Sequence, residues 1–142
     1  MIETHSCRTL SVTIMRTPAD IYAFVSNPQN LPEWAPSFCR AVGKNTTDGW
    51  VAETEEGPVD IRFVEANVLG VLDHYVRLRS GEEIFSPMRV VQNGEGSEVL
   101  FTLFRLPRFS DDQFVRDLRL IERDLLALKN RLEDARSAPS AG

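Results

Sequence analysis

Residues 110–136, SDDQFVRDLRLIERDLLALKNRLEDAR, form the last long periodic stretch of the chain. Apolar residues recur there at alternating spacings of four and three, which places them on one face of an α-helix. That apolar stripe consists of Phe114, Leu118, Ile121, Leu125, Leu128 and Leu132. Ser110 and Gln113 stand in the pattern of a capping box, which marks the start of a helix. At about 1.5 Å per residue the helix would be roughly 40 Å long, enough to cross a small domain.

Most of the chain before this helix has the pattern of short strands separated by turn residues. The predicted strands are residues 9–15, 38–44, 50–55, 59–67, 71–79, 84–92 and 98–106. Connections this short make neighbouring strands antiparallel, and an antiparallel sheet needs cover on one face. The C-terminal helix is the element long enough to provide that cover. Its spacing also fits a coiled-coil seam between two chains, but the stripe is needed within the chain.

Two short helices are predicted after the first strand. Thr17 is a suitable N-cap, and Pro18 fits the first helical position that follows it. Pro28 ends this helix, since the residue before a proline avoids the α-helical region. A second helical piece at residues 29–34 is kept short by the prolines around it. These helices are expected to lie across one end of the sheet.

Composition and charge limit the classes of function. The chain has 142 residues, which fits a single domain over residues 1–142, with residues 1–7 and 137–142 expected to be flexible. Its net charge of −5 argues against binding to nucleic acid. No apolar run is long enough for a membrane helix and no signal peptide is recognisable, so we expect no membrane insertion and a cytoplasmic location. Cys7 and Cys39 have no metal-ligand spacing, and neither a metal nor a cofactor is expected.

The opening of the chain carries a family resemblance. Its segments are SVTI at residues 11–14, PADIYAFVSNP at 18–28 and LPEW at 31–34, and the amphipathic C-terminal helix completes the pattern. This arrangement resembles the START-like superfamily, also called helix-grip or SRPBCC, and especially its polyketide cyclase/dehydrase-like branch. The resemblance implies an α+β helix-grip fold, in which a curved antiparallel sheet of seven strands wraps around the last helix. It also implies a cavity between sheet and helix, with an entrance near the short helices.

His74 and Arg89 are the candidate catalytic residues. In the strand at residues 71–79 the charged residues alternate with apolar ones, which predicts that His74 points into the cavity. An inward histidine can be a buried neutral side chain held by a backbone carbonyl, or a ligand contact and general acid or base. Asp73 should face outward and pair with Arg62 or Arg89. Alternation does not decide the facing of Arg89, which would hold a carboxylate or enolate oxygen if it pointed inward.

The remaining candidates are apolar and would form the lining of the cavity. The predicted ligand-binding residues, besides His74, are Trp34, Phe38, Trp50, Phe63, Phe101, Phe114, Leu118 and Ile121. Core packing explains most aromatic residues in such a chain, and a planar ligand stacked on a few of them is the functional alternative.

Three functions therefore remain open. The first is binding of a small, largely hydrophobic molecule, aromatic or polyketide-like, by a monomer or homodimer. The second is an enzyme of the cyclase, dehydratase or isomerase type that uses the same cavity, with His74 moving a proton. The third is a partner-binding domain whose interior is filled by its own side chains.

Overall fold

The computed structural model describes residues 2–44 and 49–137, with side chains described as far as residue 134. The strands are β1 (Cys7–Ile14), β2 (Ala41–Lys44), β3 (Trp50–Thr54), β4 (Gly57–Phe63), β5 (His74–Arg77), β6 (Glu83–Ser86), β7 (Met88–Asn93) and β8 (Gly96–Phe104). The helices are α1 (Pro18–Val25), α2 (Leu31–Trp34) and α3 (Asp111–Ser137), with a 3₁₀ turn at Pro28–Asn30. The predicted α+β class and the long C-terminal helix are confirmed. The turn that the sequence predicts at residues 47–49 and the tail expected to be flexible at residues 137–142 lie outside the described residues, except for positions 49 and 137.

The strands form two antiparallel sheets, so the prediction of one seven-stranded sheet was wrong. One sheet has three strands in the order β1-β8-β7, and the other has five in the order β2-β3-β4-β5-β6. Pro87 explains the difference. It has no N–H to give to a strand ladder, and it divides the predicted strand at residues 84–92 into β6 and β7.

Backbone hydrogen bonds still join the two sheets beside this break. Leu72 N donates to Met88 O at 2.8 Å, Val90 N donates to Gly70 O at 3.0 Å, and Thr102 N donates to Pro87 O at 3.0 Å. The strands therefore make one layer that is interrupted at Pro87, and its inner face is continuous across the interruption. Strand alternation makes that face apolar, as in β4, where Val59 and Ile61 are buried while Asp60 and Arg62 are exposed.

The apolar stripe of α3 is buried unevenly along its length. Leu125, Leu128 and Leu132 are buried in the core, whereas Phe114, Leu118 and Ile121 are half-buried. The C-terminal half also carries the bonds to distant elements. Lys129 Nζ donates to Thr13 O at 2.8 Å, Arg131 Nε donates to Glu33 Oε1 at 3.0 Å, and Ser37 N donates to Asp124 Oδ1 at 2.9 Å. The stripe is thus used within the chain, as predicted, and its N-terminal half stays partly open to solvent.

Asn67 organises the connection between β4 and β5. Its Oδ1 accepts hydrogen bonds from Leu69 N and Val71 N, and its Nδ2 donates to Glu65 O and Val71 O, all at 3.0 Å. Gly70 follows with a φ of +76°, a conformation that favours glycine. A Cβ atom at Gly70 would lie 2.3 Å from Val90 O, so this connection crosses β7 too closely for any side chain.

We predict that Gly70→Ala lowers the free energy of unfolding by about 3 kcal/mol. About 1 kcal/mol comes from the left-handed backbone and about 2 kcal/mol from displacing Val90. Gly94→Ala is the matched control, because Gly94 has a φ of +59° and a Cβ there would meet nothing within 4 Å. Urea denaturation of both variants should show a loss of only about 1 kcal/mol for the control. Equal losses would contradict the close approach to Val90.

Candidate functional site

The predicted ligand-binding residues lie on the strands and on α3, except Trp34 at the end of α2 and Phe38 in the connection after it. Trp34 and His74 are buried, with 3% and 6% of their surface exposed. The others are half-buried, namely Phe38, Trp50, Phe63, Phe101, Phe114, Leu118 and Ile121. Phe38, Trp50, Phe63, Phe101 and Ile121 pack directly against the buried core. These side chains are therefore interior but not completely covered by the chain.

His74 lies between two aromatic rings of the inner face. Register pairs it with Phe63 on β4, and the two ring centroids are 4.9 Å apart. The Phe101 ring on β8 lies 5.7 Å from His74 on another side. We call Phe63, His74 and Phe101 the inner aromatic cluster. The inward orientation predicted for His74 is correct, because the ring is buried beside two aromatic rings of the inner face.

The protonation of His74 follows from its contacts. Its Nδ1 lies 3.0 Å from Leu72 O, and since a carbonyl only accepts, Nδ1 carries the proton. Burial lowers the pKa of His74, against the opposing effects of the Leu72 carbonyl and the Asp73 charge. The ring is therefore neutral near pH 7, with a lone pair on Nε2. That nitrogen has no hydrogen-bond partner among the described residues, so it is available to accept a hydrogen bond or a proton.

Asp73 and Arg89 form an ion pair on the outer face. Arg89 Nε donates to Asp73 Oδ1 at 3.1 Å, and its terminal NH2 donates to Oδ2 at 2.9 Å. Met88 N adds a third bond, to Oδ1 at 2.8 Å. Burial opposes ionisation of Asp73, but the bonds from Arg89 and Met88 outweigh it and lower the pKa of the carboxyl. The pairing predicted for Asp73 is confirmed.

This geometry shows that the alternative in which Arg89 points inward is wrong. Arg89 is exposed, its neighbours Met88 and Val90 are buried, and its planar guanidinium is already bound to a carboxylate. Arg89 cannot reach a molecule in the interior. Thr102, whose facing the sequence also leaves open, shares a 2.7 Å hydrogen bond with exposed Thr9 and belongs to the outer face as well.

Sequence reasoning missed a buried polar group on α3. Asp124 is 7% exposed, accepts a hydrogen bond from Ser37 N, and has a pKa that burial raises. Burial, and secondarily the nearby Asp124, raises the pKa of the Cys39 thiol to about 11, which makes the thiol unreactive. The sequence signal was the position of Asp124 directly beside the apolar stripe. Its bond attaches α3 to the connection after α2, which is a structural role.

A pocket of about 160 Å³ lies between α1 and the connection from β4 to β5. It is lined by Tyr22, Ser26, Phe63, Val64, Ala66, Val71 and Leu72. We call it the α1 pocket. Phe63 is the predicted ligand-binding residue that lines it. The resemblance implied an entrance near the short helices, but a separate pocket between α1 and this connection was not predicted. The spacing of Tyr22 and Ser26, which puts both on one face of α1, was the available signal.

Two further findings concern the described part of the chain. Residues 2–44 and 49–137 contain no group of three or more His, Cys, Asp or Glu side chains arranged to hold a metal ion. Within the same ranges, no helix combines the length and the apolar character needed to cross a membrane.

An antiparallel sheet layer with a long C-terminal helix against its inner face, and two short helices after the first strand, defines a START-like, helix-grip protein. The sequence profile of the family described as polyketide cyclase / dehydrase and lipid transport matches residues 7–133. The chain belongs to this family, and the resemblance seen in the sequence is confirmed. A comparison with curated protein sequences found no match.

Solved structures show the same fold at low sequence identity. The protein XoxI from Bacillus cereus aligns with a TM-score of 0.73 and 15% identity over 92% of this chain and 98% of its own. A START superfamily protein from Mycobacterium smegmatis aligns with a TM-score of 0.67 and 14% identity, covering 93% and 99% of the two chains. DynU16, a putative protein of the dynemicin biosynthetic locus, aligns with a TM-score of 0.70 and 13% identity over 92% of this chain and 48% of its own.

We predict that His74→Phe removes part of the pH dependence of stability. Burial lowers the pKa of His74 in the folded state, so below about pH 6.5 the unfolded state binds more protons and the wild type loses stability. Urea denaturation between about pH 5 and 7.5 should therefore show a steeper decline towards acid for the wild type than for the variant.

His5→Ala provides the control for this measurement, because it removes the other histidine from an exposed position. It should keep the wild-type profile. If His74→Phe declined towards acid as steeply as the wild type, His74 would not be buried as a neutral ring.

Proposed function

We propose that the protein binds a small, largely hydrophobic molecule, aromatic or polyketide-like, between the inner face of the sheets and the N-terminal half of α3. The observation that carries this proposal is the inner aromatic cluster, in which the neutral His74 presents a hydrogen-bond acceptor among apolar side chains. Ligand sites of this kind are mainly apolar with a few placed polar groups.

The uneven burial of α3 supports the position of the site. Its C-terminal half is fixed by Leu125, Leu128 and Leu132 in the core, while Phe114, Leu118 and Ile121 keep part of their surface exposed. Covering that apolar surface with a ligand removes it from water, at about 25 cal/mol for each Å². A ligand would thus complete the packing that the chain itself leaves incomplete.

Membership of the family supports the chemical class of the ligand. The family description covers both polyketide cyclases or dehydrases and lipid transport, and both activities involve a largely apolar molecule. His74 Nε2 adds a preference within that class, since an acceptor favours ligands with a hydroxyl such as a phenol or enol. One chain suffices for this site, so a monomer and a homodimer are equally compatible with it.

We predict that 1-naphthol binds more tightly than 1-methoxynaphthalene, because the ether has no O–H to donate to His74. One hydrogen bond of about 1 kcal/mol gives a difference of roughly fivefold in Kd. His74→Phe should abolish that difference in Kd, while the apolar contribution to the binding free energy remains. Isothermal titration calorimetry or an NMR titration gives both dissociation constants.

Leu118→Glu and Val115→Glu form a matched pair for locating the site on α3. Leu118 is half-buried on the apolar stripe, whereas Val115 is 45% exposed outside it. Leu118→Glu should weaken 1-naphthol at least about tenfold by placing an unpaired charge in the site, and Val115→Glu should not. Equal affinities for the two variants, or the absence of saturable binding by the wild type, would refute the proposed site.

The second candidate is an enzyme of the cyclase, dehydratase or isomerase type in the same site. Because His74 is neutral, it is suited to act as a general base. Its Nε2 would take a proton from the substrate carbon between two carbonyl groups and return that proton to another atom of the product. Arg89 has no part in this mechanism, because it is bound to Asp73 on the outer face.

Turnover separates the enzyme from the binding protein. A linear poly-β-ketone incubated with the wild type should be converted faster than in buffer, and His74→Ala should lose most of that acceleration, about 100-fold for a general base. Product formation followed by liquid chromatography provides the measurement. Equal rates for wild type and variant would remove His74 from any mechanism and leave binding alone.

A further inference from the structure

We propose that the α1 pocket is a second ligand site, specific for a neutral carbonyl compound with a single ring. The carbonyl oxygen would accept hydrogen bonds from the hydroxyls of Tyr22 and Ser26. This site is distinct from the one between the sheets and α3, and the proposal does not rest on that function. Phe63 borders both sites, since it lines the pocket and its ring centroid lies 4.9 Å from that of His74.

The two hydroxyls are arranged as donors. Tyr22 and Ser26 are separated by one helical turn at one end of α1, and both line the pocket. Asn67 N donates to the Tyr22 oxygen at 2.9 Å, which leaves the phenolic proton of Tyr22 for another acceptor. The Ser26 hydroxyl has no hydrogen-bond partner among the described residues. We therefore place the acceptor oxygen of the ligand between these two hydroxyls.

The rest of the lining sets the size and the charge of the ligand. Phe63, Val64, Ala66, Val71 and Leu72 contribute apolar surface. A volume of about 160 Å³ is close to that of an engineered cavity that holds one benzene molecule, so a single ring fits. The lining side chains carry no cation, and a carboxylate would therefore lose its hydration without gaining a partner. These conditions select a neutral ketone or aldehyde over an acid.

The wall opposite α1 is held in place before any ligand arrives. The four hydrogen bonds of the Asn67 side chain fix the connection on both sides of Gly70. The bond from Asn67 N to Tyr22 then attaches this connection to α1. Such preorganisation reduces the entropy lost when a ligand binds.

The test compares the binding of acetophenone and α-methylstyrene, which have nearly the same shape, but only acetophenone has a carbonyl oxygen. We predict that acetophenone shifts the amide resonances of Tyr22, Ser26 and residues 64–72 in a saturable ¹H–¹⁵N NMR titration. Its Kd should be at least about fivefold lower than that of α-methylstyrene, which has no acceptor. Ser26→Ala should reduce this difference, and Ser26→Leu, which fills the pocket, should abolish binding.

Tyr22→Phe tests the second donor and has a matched control in Tyr75→Phe. Tyr75, the other tyrosine of the chain, stacks on Phe85 at 5.0 Å on the outer face. Tyr22→Phe should weaken acetophenone at least about fivefold, and Tyr75→Phe should leave its Kd unchanged.

Three results would overturn the proposal. They are the absence of saturable shifts up to the solubility of acetophenone, equal affinities for the ketone and the alkene, and shifts centred on Phe101 and Leu118 rather than on α1. The last result would place the ketone in the other site and leave the function proposed there intact. Conversely, loss of 1-naphthol binding would refute that function without affecting acetophenone in the α1 pocket.

Discussion

The insertion of Leu125, Leu128 and Leu132 into the core is the interaction on which the rest of the structure depends. These side chains are at most 3% exposed, and they hold α3 against β1 and α2. Burying three leucines contributes several kcal/mol, at about 2 kcal/mol each, so this half of the helix is fixed. Because α3 is one continuous helix of 27 residues, fixing one half limits where the other half lies. The partly exposed surface of Phe114, Leu118 and Ile121 is a consequence of that attachment.

A second constraint acts where the two sheets meet. Pro87 interrupts the ladder, and the chain compensates with bonds from neighbouring segments instead of leaving polar groups unpaired. Asp73 is central to this repair, since its carboxylate binds Met88 N and the guanidinium of Arg89 together. The Asp73–Arg89 pair is therefore an element of the architecture. Its position next to His74 in the chain does not make it part of the interior site, because adjacent strand residues face opposite sides.

The local sequence pattern was sufficient to predict the structure where one physical rule dominated. The period of α3 and the alternation around His74 are both regular, and the helix, its intramolecular role and the inward histidine were predicted correctly from them. Arg89 has apolar residues on both sides, so alternation was uninformative, and its facing depends on Asp73 across the sheet. The interruption at Pro87 was visible in the sequence, but the predicted strand ran through it. Asp124 and the α1 pocket had only weak signals in the sequence, because the burial of Asp124 and the wall of the pocket depend on contacts with Ser37 and Asn67 from distant parts of the chain.

The short segment Leu72-Asp73-His74 connects these features physically. Leu72 lines the α1 pocket, and its carbonyl determines which nitrogen of His74 carries the proton. Asp73 points to the other face and fixes Arg89 at the junction of the sheets. The three residues share one stretch of backbone, and Val64 N donates a hydrogen bond to Asp73 O in that stretch at 3.0 Å. They are therefore positioned as a unit. The fold thus places a pocket residue, the carbonyl that orients His74 and the carboxylate that holds Arg89 on three consecutive positions.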